Sequence, residues 1–170
     1  LVAAHVLGAV PLAAIGPLIV PILMTHGVVA GDAPNFQTVV VLAGAGGSIA
    51  AGFLMDRSRS AGICVPYCLL AALSLVMMAT MSAAAGAVML WATAIAHGFG
   101  VFGRLPMGGY FQTRFFGLRA FAGVIGLQSA IMAFFMGFAA PLVSKSQEIS
   151  GSYNPALSAM AAASVLGVLI

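Results

Sequence analysis

A chain of 170 residues with 62% hydrophobic and 5% charged side chains is not an ordinary soluble domain. Such a domain carries about 25% charged residues because its surface faces water, and the six basic and three acidic side chains here cannot cover one. A mean hydropathy of +1.15 points to lipid as the second solvent, and a net charge of +3, with its arginines beside apolar runs, gives no nucleic-acid-binding surface.

The chain opens at Leu1 and stops at Ile170 within apolar runs, so it is expected to be a piece of a longer protein. A helix needs about 20 mostly apolar residues to cross the hydrocarbon core, and the charges divide the sequence into segments of that length. Spans are predicted near 2–24, 36–55, 62–81, 86–103, 120–143 and 155–170. The first carries Pro11, Pro17 and Pro21. Prolines bend a helix and free carbonyls, which neighbours or a water-lined cavity must satisfy. The second is rich in small residues (Gly44, Gly46, Gly47, Ser48, Gly52), and the Ser48-xxx-Gly52 step suits close helix approach in lipid.

Residues 60–103 are 44 in a row without a formal charge, enough for two helices with a turn at Ser82–Gly86. Cys64 and Cys68 read as small packing residues, since a metal site needs more ligands than two. Gly98, Gly100 and Gly103 give the fourth span another smooth face. Pro155 is placed to open the sixth, because its missing N–H costs nothing in a first helical turn. The expected fold is therefore an all-α membrane protein with six transmembrane helices. A buried soluble bundle lacks its polar faces here, and a β-barrel lacks its alternating strands.

Arg57, Arg59, Arg104, Arg114 and Arg119 fall in the loops after spans two and four, against Asp32, Lys145 and Glu148 in the opposite loops. The positive-inside bias then puts both chain ends in the cytoplasm, in a plasma (inner) membrane. Within the spans, ionisable groups are reduced to His5 and His97, with Gln128 as an uncharged polar group. Groups at membrane depth are candidates for a substrate path. His97, near the cytoplasmic end of its span, also has the simpler reading of a hydrated residue, and Gln128 that of a bond to a neighbouring helix. Nothing in the sequence calls for a cofactor, a metal ion or a catalytic residue.

The stretch Gly52-Phe53-Leu54-Met55-Asp56-Arg57-Ser58-Arg59 resembles the loop signature of the major facilitator superfamily, Gly-x-Leu-x-Asp-Arg-x-Gly-Arg-Arg. Its first six positions match, and Arg59 replaces the second glycine. Phe116-Gly117-Leu118-Arg119-Ala120-Phe121, then Ala140-Pro141 and Gly151-Ser152-Tyr153, are similar to the C-terminal half of monocarboxylate and oxalate–formate type members. The resemblance implies helices seven to twelve of a twelve-helix secondary carrier, partnered by lipid, a small-molecule solute and a second six-helix half. It implies a cytoplasmic gate at Gly52, Leu54, Asp56, Arg57, Arg59 and Arg119, and a solute cavity lined by the first and fourth helices, which carry His5 and His97. Organic-anion relatives hold a basic residue mid-span in this half, and this chain has none there. Two other classes compete: a membrane scaffold subunit, and a rhomboid-like serine protease pairing Ser48 with His97.

Overall fold

In the computed structural model, residues 15–29, 31–58, 60–81 and 86–169 are described. His5, Pro11, Arg59 and the expected turn at 82–85 lie outside them. Among the described residues the α-helices are, in order, α1 (Ile19–Thr25), entered through a 3-10 turn at Gly16–Leu18; α2 (Asp32–Arg57); α3 (Cys64–Ala79), entered through Ala61–Ile63; α4 (Gly86–Gly103); α5 (Leu105–Ser150); and α6 (Asn154–Leu169). Among the described residues there is no strand.

Among the described residues, three helical stretches are long and apolar enough to cross a membrane: Asp32–Arg57, Ala61–Ala79 and Gly86–Ser150. The 26 residues of α2 reach about 39 Å at ~1.5 Å per residue, beyond a hydrocarbon core of about 30 Å. Three prolines sit where the missing N–H is harmless, Pro34 and Pro66 in the first turns of α2 and α3 and Pro155 at the start of α6, whereas Pro141 lies inside α5. The Ser152 hydroxyl accepts from the Asn154 N–H at 3.1 Å and so caps that last helix.

Glycine fixes how closely the helices meet. A Cβ at Gly47 would lie 2.8 Å from the Phe99 carbonyl oxygen, one at Gly44 2.7 Å from Phe102 Cβ, and one at Gly98 would strike the Val40 carbonyl. These positions form the α2–α4 seam. Gly100 meets α3 in the same way, where a Cβ would stand 2.6 Å from the Ala71 nitrogen. The Ser48 hydroxyl donates to the Phe102 carbonyl at 3.1 Å, and the Tyr67 hydroxyl to the Gly47 carbonyl at 3.3 Å. The expected Ser48–Gly52 step is thus only half used: Ser48 faces α4, while nothing lies within 4 Å of a Cβ at Gly52 or Gly46.

A large apolar core joins Ile15, Ile19 and Ile22 of the first segment to Phe36 and Val40 of α2, Leu75 and Met78 of α3, and Leu157 of α6. A smaller cluster (Ala51, Met55, Tyr67, Met107, Phe111) packs near the α2 C-terminus. The end of α1 is tied to the start of α6 by His26, whose Nδ1 lies 2.8 Å from the Ile22 carbonyl and Nε2 3.1 Å from Asn154 Oδ1.

The loop expected between the fourth and fifth spans is helical instead. Arg104 keeps helical dihedrals (φ −86°, ψ −12°), so α4 continues into residues 105–116 with one bend. The break comes at Gly117, with φ 73° and ψ 167°, a conformation essentially reserved for glycine. Gln112 and Gln128 are hydrogen-bonded across that break. They stand five residues before and eleven after Gly117, about 8 and 16 Å along their helices. A side-chain bond at those depths requires residues 118–150 to fold back alongside 105–116. The fifth helix also outruns its expected end at 143, carrying Lys145 and Glu148 to Ser150. It stops at Gly151, which takes the left-handed conformation of a helix cap (φ 72°).

Candidate functional site

The signature residues occupy the last turns of α2. Gly52 is half-exposed with open space beside it, and Leu54, Asp56 and Arg57 are exposed. Arg119, two residues past the Gly117 break, is exposed too. Leu54, Asp56 and Arg57 thus stand at the exposed end of α2.

His97 is not the hydrated residue its position suggested. It is 2% exposed, and its Nδ1 lies 3.0 Å from the Ser74 hydroxyl. Ser74 Oγ in turn donates to the Ala71 carbonyl at 2.6 Å. The ring nitrogen and the hydroxyl share a hydrogen bond whose direction is set by the histidine's tautomer. The serine foreseen as its partner, Ser48, donates to Phe102 instead. The arrangement is a buried, satisfied polar link between α3 and α4.

Gln128 bonds Gln112, and it lines a cavity of about 280 Å³ between the α4–α5 bend and residues 118–150. One wall is Val101, Arg104, Leu105, Gly108, Gly109 and Gln112; the other is Ile125, Gln128, Ser129 and Met132. Steps of three and four residues on both walls mean two helix faces turned to each other.

Arg104 is the unexpected member, because as a loop residue it was to be solvated. It is 7% exposed, and its guanidinium meets only the Cys68 sulfur, at 3.9 Å. An unpaired buried ion costs several kcal/mol as an order of magnitude, so this cation needs compensation that the described residues do not supply. Gln112 (3% exposed) adds a second deficit: its Oε1 is buried without a hydrogen-bond partner. Sequence reasoning missed Arg104 and Gln112. The available signal was their spacing: Arg104, Gly108 and Gln112 recur every four residues, a polar face continuing α4 through what looked like a loop.

No family model, curated protein or solved structure matches the chain.

Proposed function

We propose that the chain is one half of a secondary carrier that moves a small solute by alternating access, its six helices all crossing a plasma membrane with both ends cytoplasmic. It corresponds to the C-terminal half of a major-facilitator-type bundle, similar to monocarboxylate and oxalate–formate type members. The observation that carries this reading is the open face at the end of α2. There a glycine with free space beside it adjoins exposed Leu54, Asp56 and Arg57, which suits a latch whose opposing surface belongs to the other half.

Helix pairing adds support. A three-plus-three inverted repeat exchanges helices one to three with four to six, so contact of the third with the fourth has contact of the sixth with the first as its image. Gly100 against Ala71 is the first of these, and His26 with Asn154 the second. The long run Gly86–Ser150, reversed at Gly117, has length for two crossings.

The test is solute uptake into proteoliposomes by the full-length protein and its Asp56→Asn variant, against a panel of small neutral and anionic solutes. Asp56 is exposed, so the variant should fold and melt as the parent does while uptake falls about tenfold, as loss of a charge-assisted gate contact implies. Uptake of no solute by the parent, or undiminished uptake by the variant, contradicts the proposal.

A further inference from the structure

We propose that Cys64, Cys68 and Met107 bind a soft monovalent cation, Cu(I), and that Arg104 is the counter-charge of the loaded site.

Two facing elements build the site. Cys64 and Cys68 stand one turn apart in α3, so their Cβ atoms are about 5–6 Å apart on one face. Opposite them, the bend from α4 into α5 carries Arg104 and Met107, three residues apart. Met107 Sδ lies 3.5 Å from Cys64 Sγ, and the Arg104 guanidinium 3.9 Å from Cys68 Sγ. Sulfurs that share one metal at ~2.3 Å, with tetrahedral or trigonal angles, stand about 3.8–4.0 Å apart. Cys64 and Met107 are therefore close to ligand spacing. Met107 is buried while both cysteines are partly exposed, so an ion enters from the cysteine side. The sequence alone offers two sulfurs here, too few for a closed site; the fold adds the third.

Ligand type and charge together select the ion. Thiolate and thioether sulfurs are soft donors suited to Cu(I). Among the described residues, no histidine or carboxylate completes a group of three with the cysteines. As the ion binds, each thiol gives its proton to solvent and a sulfur–metal bond forms; the oxidation state of the metal does not change. A monovalent ion held by two thiolates is a centre of charge −1. Arg104, 7% exposed and paired with no carboxylate among the described residues, brings that centre to neutrality. A divalent ion between the same thiolates leaves the guanidinium uncompensated. The loaded site thus supplies the anionic partner that the buried arginine lacks in the bare chain.

Binding is measured on the reduced, detergent-solubilised full-length protein under anaerobic conditions, with Cu(I) titrated against the chromogenic chelator bathocuproine disulfonate. Transport plays no part in it, so a failed uptake assay and a failed binding assay are separate results. The parent should take up one Cu(I) per chain and release about two protons as it does so. X-ray absorption at the copper edge should show three sulfur ligands and no nitrogen or oxygen.

Cys64→Ser and Cys68→Ser should each lose the ion to the chelator. Met107→Leu, which conserves volume, and Arg104→Gln should each weaken binding by at least about tenfold. Arg104→Lys keeps the charge and should weaken it less. Zn(II) should be retained no better by the parent than by the double variant Cys64→Ser/Cys68→Ser. The absorption spectrum is taken on the parent, so it decides even where a variant fails to fold. No Cu(I) bound, two Cu(I) per chain, parental affinity in either single-serine variant or in Met107→Leu, fewer than three sulfur ligands, or Zn(II) held through these cysteines overturns the proposal.

Discussion

Glycines in this chain divide into those that hold helices together and those that do not, and the space beside each one decides which. At Gly98 a Cβ would run into the Val40 carbonyl, and at Gly100 it would come 2.6 Å from the Ala71 nitrogen. Both obstacles are backbone, which cannot rotate away. Gly46 has nothing within 4 Å. Overpacking of this kind costs about 1–3 kcal/mol. Gly98→Ala should therefore lower the melting temperature of the detergent-solubilised protein by several degrees, and Gly46→Ala should leave it unchanged or slightly raised through better helix propensity. A thermal melt of the two variants side by side checks this; equal melts contradict the seam. The small residues of the second and fourth spans were legible in the sequence as packing faces. Which of them face a neighbour was not, because Gly44, Gly46, Gly47 and Gly52 all look alike until the partner helix is placed. For the same reason His97 read as solvated: the hydroxyl that satisfies it, Ser74, is 23 residues away on another helix.

At the scale of elements the informative feature is the long α5. Charge spacing separated it into a loop and a span, since three arginines between residues 104 and 119 look like a membrane-end loop. Helix propensity does not end at charges, however, and neither Arg104 nor Arg114 breaks a helix. Gly117 does. Its φ of 73° with ψ of 167° is closed to residues with a Cβ, so Gly117→Ala must distort the reversal at a cost of about 1–3 kcal/mol. The reversal is read by a double cysteine, Gln112→Cys with Gln128→Cys, in a background lacking Cys64 and Cys68. With Gly117 present the pair should be bridged efficiently by a short bifunctional maleimide, since the native side-chain ends meet; with Gly117→Ala added, cross-linking should drop severalfold. Undiminished cross-linking would show that the reversal does not depend on this residue. The aromatic-Gly-x-Arg sequence marked this spot by resemblance, but the cavity behind it depends on Arg104, Gln112 and Gln128 meeting across the reversal. Sequence order alone does not show that meeting.

For the whole molecule the decisive property is its surface. Leu118, Leu127, Phe134, Leu142 and Ile149 are between 62% and 82% exposed along one helix. Removing a side chain of this size from water is worth about 1.5–3 kcal/mol, so a surface of this kind is matched to lipid or to a second set of helices, not to water. The all-α class followed directly from composition and from the lengths of the uncharged runs. The order in which helices contact each other did not, since apolar spans carry little to distinguish an inward face from an outward one. Crossing of the bilayer, on which the carrier reading depends, is tested most directly by cysteine accessibility in sealed, oriented vesicles. Single cysteines are introduced at Ser58, Leu118, Gly31 and Ser152 in a background lacking Cys64 and Cys68, and labelled with a membrane-impermeant maleimide. Six crossings predict that positions 58 and 118 react from the cytoplasmic side only, and positions 31 and 152 from the opposite side only. Labelling of all four from one side would contradict a membrane-crossing bundle, and with it the carrier.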